Sequence, residues 1–395
     1  MLWIELRNNC DLMLYSTQLK RSINTNSKIM NQHQKSLHVN GQNLLNKLLL
    51  LIMVFSIFPN AVSQNKNLPN VVILATGGTI AGSAASGTQA GYTSGQVGIE
   101  TMIAAVPGIR DLANVTGEQI SNVGSQDMSV AIWLQLAKRI NDLLATDEVD
   151  GIVITHGTDT QEETAFFLNL VVKSDKPVVT TGSMRPSTAV SAEGPLNLYN
   201  AVAIAANTKA KGYGVLVVMN DQIHSAHGVT KTNTTSVQTF MSPMHGLTGA
   251  VIYGRHEFYS KPHGIHGEES EFSVDGVRSL PRVDIIYTGV DTPADLVDMS
   301  IKAGAKGIVI AGVGNGNMNK ATLAACKKAA ESGIVVVRST RVPTGYVLRN
   351  AEVNDDENKT IASDELNAQK SRVLLMLALQ KSRSLEEIQR LFYTY

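Results

Sequence analysis

Residues 71–82 have the sequence VVILATGGTIAG, in which five apolar residues run into a turn of threonines and glycines. A short apolar run that is closed by glycines is typical of a strand buried on both faces, as in a parallel sheet. Thr76 and Thr79 then lie at the carboxyl end of that strand, where open α/β sheets form their ligand crevice. We therefore expect the functional site at this edge of a sheet.

The chain repeats this order of buried strand, polar turn and helix. Helices are predicted between three further strands, at 150–155, 177–181 and 215–219. Such alternation indicates βαβ units and a mostly parallel sheet. The same pattern recurs later, with strands predicted at 283–287, 307–311 and 334–337. The predicted fold class is therefore α/β, with two sequential domains, of which the N-terminal one is larger.

The first 63 residues are predicted to be a leader. Lys47 precedes an apolar run at 48–58, and a small-residue cleavage site follows at 61–63. The run is too short to span a bilayer, although an uncleaved membrane anchor is an alternative, and translation starting at Met30 would shorten the charged region. We expect export to the periplasm or beyond the cell, with no membrane association after cleavage.

The remaining chain divides into three parts. We predict an N-terminal domain at 64–254, an interdomain linker at 255–281 and a C-terminal domain at 282–395. The linker is assigned because it contains histidines and glycines without a sustained apolar period.

The chain has two cysteines, Cys10 in the leader and Cys326 in a predicted helix. No internal disulfide is therefore expected, and Cys326 should be a buried, inert thiol.

Charge and motif patterns narrow the possible ligands. The chain has 34 basic and 34 acidic residues and a sequence pI of 7.1, which favours a small neutral or zwitterionic substrate over nucleic acid. Residues 75–82 lack the Lys-Ser/Thr ending of a P-loop, and 312–317 lack the third glycine of a dinucleotide fingerprint. The spacing of His256, His263 and His266 fits no usual zinc pattern. We expect neither a cofactor nor a metal.

Several polar residues fall at predicted strand ends. They are Thr79, Ser125, Thr158, Asp159, Lys231, Asn315, Asn317 and Glu352. A threonine hydroxyl needs a base to become a nucleophile, and a desolvated lysine can serve. Thr158, Asp159 and Lys231 are therefore a candidate proton relay.

Two further interpretations stay open near Thr79. Self-cleavage before Thr79 is an alternative, but it would sever the strand from its turn. Residues 81–98, with Tyr92, fit either a lid or a solvated loop.

Long motifs give the chain a specific resemblance. They are ILATGGTIAG (73–82), GSQDM (124–128), ITHGTDTQEETAFFL (154–168), GSMRPSTAVSAEGPLNLYNA (182–201), VTKTNTT (229–235), AGVGNGN (311–317) and RVPTG (341–345). In these motifs, and collinearly from Leu68 to Tyr395, the chain resembles bacterial type II L-asparaginases. The resemblance implies hydrolysis of L-asparagine to aspartate and ammonia by an exported homotetramer, without metal or cofactor.

The resemblance also implies roles for individual residues. Thr79 matches the usual nucleophile, and Tyr92 matches the lid tyrosine that assists it. Ser125 and Gln126 match the residues at the substrate carboxylate, and Asp159 matches the partner of the substrate ammonium. Thr158 and Lys231 match the proton-transfer pair, while Asn317 and Glu352 match residues that reach the neighbouring subunit's site. Which of Thr79 and Thr158 attacks first stays open.

Two other functions remain as alternatives. Asparagine and glutamine differ by one methylene, so a glutaminase-asparaginase that uses both amides is one of them. Family members that use both substrates often have a serine in place of the second asparagine of GNGN, so Asn317 favours asparagine. The other alternative is an exported amino-acid-binding protein, but such proteins usually cross their hinge more than once, whereas one linker is predicted here.

Overall fold

The computed structural model describes residues 68–88 and 91–395; the predicted leader lies outside them. A mixed eight-stranded sheet has the order β10-β9-β6-β5-β4-β3-β1-β2. Its strands, in chain order β1 to β6, then β9 and β10, are Asn70–Gly77, Asn114–Val123, Gly151–Thr155, Val178–Thr181, Val215–Met219, Gln222–Ser225, Gly249–Ile252 and Arg255–Phe258. Strands β1 to β5 pair in parallel, which confirms the predicted βαβ arrangement. A separate antiparallel pair contains β7 (Thr230–Lys231) and β8 (Phe240–Met241).

Strand β1 is buried on both faces, as its apolar run predicts. It lies between β2 and β3 and pairs in parallel with each. Val72 and Leu74 belong to one core cluster, while Val71 and Ile73 belong to another on the opposite face. The turn after β1 therefore starts from a strand that is fixed from four sides.

A second sheet, with the order β11-β12-β13-β14, is parallel throughout. Its strands are Val283–Tyr287, Gly307–Gly312, Val335–Thr340 and Thr360–Ala362. The first three lie where the sequence predicts them. Together, the two sheets confirm an α/β fold with a larger N-terminal and a smaller C-terminal part.

Helices cover the faces of both sheets. In chain order, α1 to α10 are Ile99–Ala104, Ile109–Leu112, Val130–Leu144, Gln161–Val171, Gly194–Ala205, Asp295–Lys302, Lys320–Glu331, Asp355–Asn358, Ala368–Ala378 and Leu385–Thr394. One core cluster contains residues of both sheets together with α3, α4, α9 and α10. The sheets thus share one apolar core through these helices, while the opposite face of each sheet packs into a cluster of its own.

The structure differs locally from the sequence predictions. Residues 255–258, predicted to begin the linker, form strand β10 and pair antiparallel with β9, because their backbone groups complete the edge of the sheet. The spacing of Thr160 and Glu163 predicts a capping box, but the Thr160 hydroxyl donates to the carbonyl of Ser125 instead. The spacing of Ser384 and Glu387 also predicts a capping box, and this one is present. The division into domains stays a prediction.

Two further sequence expectations concern burial and the membrane. Cys326 is buried in α7, and burial raises the pKa of its thiol to about 12, which fits an inert side chain. Among the described residues, no helix is long and apolar enough to cross a bilayer.

Candidate active site

The turn after β1 brings Thr79 against a second turn of the sheet. Gly77 and Gly78 have φ values of 106° and 80°, which glycine adopts readily. A Cβ on Gly78 would lie 2.3 Å from the backbone nitrogen of Gly157. The chain therefore requires glycine here, and the turns that follow the paired strands β1 and β3 are in direct contact.

Thr79 and Tyr92 form the first pair of functional groups. The Thr79 side chain is buried, and its hydroxyl oxygen lies 2.5 Å from the phenolic oxygen of Tyr92. Tyr92 is 41% exposed and lies next to Thr93, which forms an antiparallel bridge with Ser83. The tyrosine thus approaches Thr79 from the solvent side and is placed to exchange a proton with its hydroxyl.

Lys231 joins two residues of the turn after β3. Its ammonium donates to the Thr158 hydroxyl at 2.9 Å and to an Asp159 carboxylate oxygen at 2.6 Å. The Lys231 side chain is 17% exposed, whereas that of Asp159 is 60% exposed. The lysine is therefore held against a buried hydroxyl, while the aspartate keeps carboxylate surface open for a cationic group.

Ser125 connects this turn to the turn after β2. Its hydroxyl accepts a hydrogen bond from the backbone N–H of Asp159 at 3.1 Å, and its carbonyl accepts one from Thr160 at 2.8 Å. Gln126 is exposed, and its side-chain amide donates to Asp127 at 3.3 Å. Three strand ends thus converge, with Ser125 fixed inside and Gln126 facing solvent.

Two buried residues that the sequence analysis left without a role support these turns. His156 donates from Nδ1 to the carbonyl of Gly157, and its Nε2 accepts from Thr164. Burial lowers the pKa of His156 to about 4, so the ring is neutral. Glu162 accepts a hydrogen bond from the backbone N–H of Lys231 at 2.6 Å. Both residues lie inside the ITHGTDTQEETAFFL motif, which was the available signal.

Asn317 and Glu352 pair with each other in the C-terminal part. The Asn317 amide donates to a Glu352 carboxylate oxygen at 2.5 Å. Within residues 68–88 and 91–395, neither side chain hydrogen-bonds to Thr79, Thr158 or Lys231. Within the described part of one chain, Asn317 and Glu352 therefore bond to each other and not to the hydrogen-bonded groups around Thr79 and Lys231.

The loops that carry this pair are organised by Arg338. Its guanidinium donates to the carbonyls of Asn315 and Leu348 and forms two bonds to Asp355, at 2.6 and 2.7 Å. Arg338 and Asp355 are both buried. This ion pair fixes the backbone on the approach to Asn317 and on the approach to Glu352.

The arrangement has a defined chemical capacity. Two threonine hydroxyls lie on adjoining turns, and each is hydrogen-bonded to a group that can exchange a proton: the phenol of Tyr92 for Thr79, and the donating ammonium of Lys231 for Thr158. Positioned hydroxyl, general base and backbone donors are the components of nucleophilic attack on a carbonyl carbon. The accessible Asp159 carboxylate has the charge and exposure needed to bind a cationic group.

Comparison with known proteins agrees with this geometry. The family model described as "Asparaginase, N-terminal" matches residues 70–264, and that described as "Glutaminase/Asparaginase C-terminal domain" matches residues 282–392. The chain is 53% identical over 339 residues to "L-asparaginase 2" of Bacillus subtilis, covering 85% of this chain and 89% of the relative. It is 51% identical over 332 residues to "Probable L-asparaginase periplasmic" of Haemophilus influenzae, covering 84% and 95% respectively.

A solved structure gives the same result. The crystal structure of a probable cytoplasmic L-asparaginase from Campylobacter jejuni superposes with a TM-score of 0.81 at 46% identity, covering 83% of this chain and 100% of that one. Family models that match most of the chain, together with relatives about half identical along nearly their whole length, establish its membership: the chain belongs to the asparaginase family.

Proposed function

We propose that the chain hydrolyses the side-chain amide of L-asparagine to L-aspartate and ammonia. The observation that carries the proposal is the contact between the Lys231 ammonium and both Thr158 and Asp159, on a turn that touches the turn of Thr79. Family membership adds the substrate class, since the relatives and the solved structure compared above are named L-asparaginases.

Thr79 is the proposed nucleophile. Attack on the amide carbon gives a tetrahedral oxyanion that backbone N–H groups of the glycine turns stabilise. Collapse expels ammonia and leaves a β-aspartyl ester on the threonine, which water then hydrolyses to aspartate and free enzyme. Tyr92 exchanges a proton with Thr79, and Thr158 with Lys231 supplies the second proton route.

The remaining residues bind the amino-acid part of the substrate. Asp159 and Glu352 are assigned to the ammonium, because both are carboxylates with exposed surface. Ser125 and Gln126 are assigned to the carboxylate, to which a hydroxyl and an amide can donate. Asn317 positions Glu352 through their hydrogen bond.

A homotetramer with shared sites is part of the proposal. Asn317 and Glu352 require a neighbouring subunit to meet a Thr79 site. The second sheet offers a surface for such contact: Tyr287 and Met299 are 67% and 56% exposed beside the edge strand β11. Large exposed apolar side chains on one face favour a protein interface. Export to the periplasm or medium is proposed from the leader pattern and the periplasmic relative.

Glutaminase activity is the second candidate, because one methylene changes pocket binding by only about 1–3 kcal/mol. The deciding experiment measures ammonia release by the purified protein from L-asparagine and L-glutamine in parallel. We expect kcat/KM for asparagine to be higher. Equal values would favour a glutaminase-asparaginase, and binding of either amino acid without ammonia release would favour a binding protein.

A further inference from the structure

Three histidines surround the carboxylate of Glu365, outside the groups assigned to asparagine hydrolysis. Nε2 of His227 lies 2.9 Å from one carboxylate oxygen, and Nε2 of His245 lies 2.7 Å from the other. Nε2 of His263 lies 3.7 Å from the first oxygen. These residues come from separate segments of the chain, and the fold brings their ligating atoms together.

The three imidazole rings are packed on one another as well. The centroids of His245 and His263 are 4.9 Å apart with nearly parallel planes, and the His227 centroid lies 5.3 and 5.5 Å from theirs. His227 is buried, whereas the His263 side chain is 65% exposed. The cluster thus has a fixed inner wall and one accessible side.

We propose that His227, His245 and Glu365, with His263 as a fourth ligand, form a binding site for a divalent transition-metal ion of the Zn²⁺ type. This inference goes beyond the proposed hydrolysis and assigns the ion no part in it. Within the described residues, His227, His245 and Glu365 form the one group of three or more potential ligands, with donor atoms all within 4.8 Å of one another.

The distances suit a small tetrahedral ion. Zn²⁺ binds histidine nitrogen and carboxylate oxygen at about 2.0–2.1 Å, so its ligand atoms stand about 3.4 Å apart. The nitrogen-to-oxygen separation is 2.7 Å to one carboxylate oxygen and 2.9 and 3.7 Å to the other, so an ion would widen the two hydrogen-bonded separations toward about 3.4 Å. The ion would replace the protons between imidazole and carboxylate, and His263 would close the coordination by a small movement on the exposed side.

The donor types of the site also fit a transition metal. Nitrogen with carboxylate donors in this number favours Zn²⁺ over Mg²⁺ or Ca²⁺, which prefer oxygen ligands only.

The buried cation Lys370 contacts the backbone of the site. Its ammonium donates to the carbonyls of His227 and Val229 at 2.6 and 2.5 Å. Because those carbonyls hold the ammonium on the backbone side of His227, Lys370 is not a ligand.

The test is metal binding by the untagged full chain after treatment with a chelator. Zn²⁺ is measured by equilibrium dialysis, and Co²⁺ by its visible absorption, which is intense for tetrahedral coordination. We expect one ion per chain at this site. His245→Ala and Glu365→Gln should each weaken binding by about 100-fold or more, since even residues that only orient ligands change metal affinity by about 10–100-fold.

His256→Ala is the matched control. It also removes an imidazole, but His256 hydrogen-bonds to Asn207 and Gly254 and not to Glu365. Its affinity should equal that of the parent chain. If circular dichroism shows that Glu365→Gln does not fold, the affinities of His245→Ala and His263→Ala decide the question, because both side chains lie toward the accessible side of the cluster. Absence of saturable binding, or equal binding by the cluster variants and the control, overturns the proposal, whatever the hydrolytic activity.

Discussion

The buried carboxylate of Glu162 accepts a hydrogen bond from the backbone N–H of Lys231 at 2.6 Å. Glu162 lies in the first turn of α4, immediately after the turn that carries Thr158 and Asp159. The side chain of Lys231 reaches back to that same turn. One short segment of chain therefore fixes the lysine at both its backbone and its ammonium group.

Glu162→Ala should lower kcat for asparagine by about 10–100-fold with a smaller change in KM, because a misplaced proton-transfer group affects the chemical step more than binding. Ammonia release under saturating and limiting substrate separates the two. Glu163→Ala on the same helical turn is the control, and Glu162→Gln should recover part of the rate. Equal losses for Glu162→Ala and Glu163→Ala would contradict a positioning role.

Thr79→Ala should reduce ammonia release by at least about 10⁴-fold, because loss of a covalent nucleophile removes the acyl-enzyme route. The hydroxyl's partner is Tyr92 on the solvent side, so the thermal unfolding midpoint should change little. Thr93→Ala removes an exposed hydroxyl nearby and should retain normal activity. Substantial turnover by Thr79→Ala would exclude Thr79 as the nucleophile and direct attention to Thr158.

Lys231→Met keeps an unbranched side chain that is one heavy atom shorter and removes the charge. Since the ammonium contacts both Thr158 and Asp159, we expect kcat to fall by about 10²–10⁴-fold, the usual contribution of general acid–base catalysis. The measurement is steady-state ammonia release from pH 6 to pH 9. A near-normal rate at any pH in that range would show that the proton follows another route.

Mixing two inactive variants tests whether sites are shared between subunits. Thr79→Ala and Glu352→Ala protomers, when exchanged into one oligomer, form some sites with both Thr79 and Glu352 intact. We expect activity to return in the mixture. Subunit exchange is verified by native mass spectrometry, and no recovery after verified exchange would mean that Thr79 and Glu352 do not combine across an interface.

Asp355→Asn should destabilise the C-terminal part. Burial raises the pKa of Asp355, but hydrogen bonds from Arg338 and Thr360 outweigh it and hold the pKa below its ordinary value of 3.8. The ionised pair therefore stabilises the fold above pH 3.8, and this stabilisation is lost as the pH falls through the lowered native pKa.

At pH 7 the substitution leaves Arg338 buried without its counter-charge, at a cost of about 3–5 kcal/mol in the free energy of unfolding. Urea denaturation at pH 7 and at pH values below 3.8 measures this. The difference from the parent chain should shrink at the lower pH. Asp356→Asn, on the same helix but more exposed, is the control. A constant difference would mean that the charge is not the cause.

Strong local patterns made most of the fold predictable. Strands such as Val283–Tyr287 and Val215–Met219 are unbroken apolar or nearly apolar runs, and both lie where the sequence placed them. Strand β2, Asn114–Val123, was missed because its edge position leaves it largely polar and half-buried. Strand β14 has only three residues, too few to show a period.

Site residues that are close together in a sequence motif could be predicted. Residues that are distant in sequence and meet only in the folded chain could not. Thr158 and Asp159 are adjacent in sequence, and the structure joins them to Lys231. The three histidines around Glu365 lie more than a hundred residues from it in sequence and follow one another at intervals of 18 residues, too far apart for a local motif. Thr160 shows the limit of a local rule, because a long-range bond to Ser125 replaces the expected cap.

The core cluster common to both sheets bears on how ligands enter. Phe166 and Leu170 of α4 lie in that cluster with Leu374 and Leu377 of α9, all of them buried. A hinge motion that separated the two parts would expose these side chains to water. The free-energy cost would be about 25 cal/mol for each Å² of apolar surface exposed. Amino-acid receptors that trap their ligand by hinge closure need domains that separate at a low cost in free energy. The shared core therefore opposes such a separation of the two parts in this molecule.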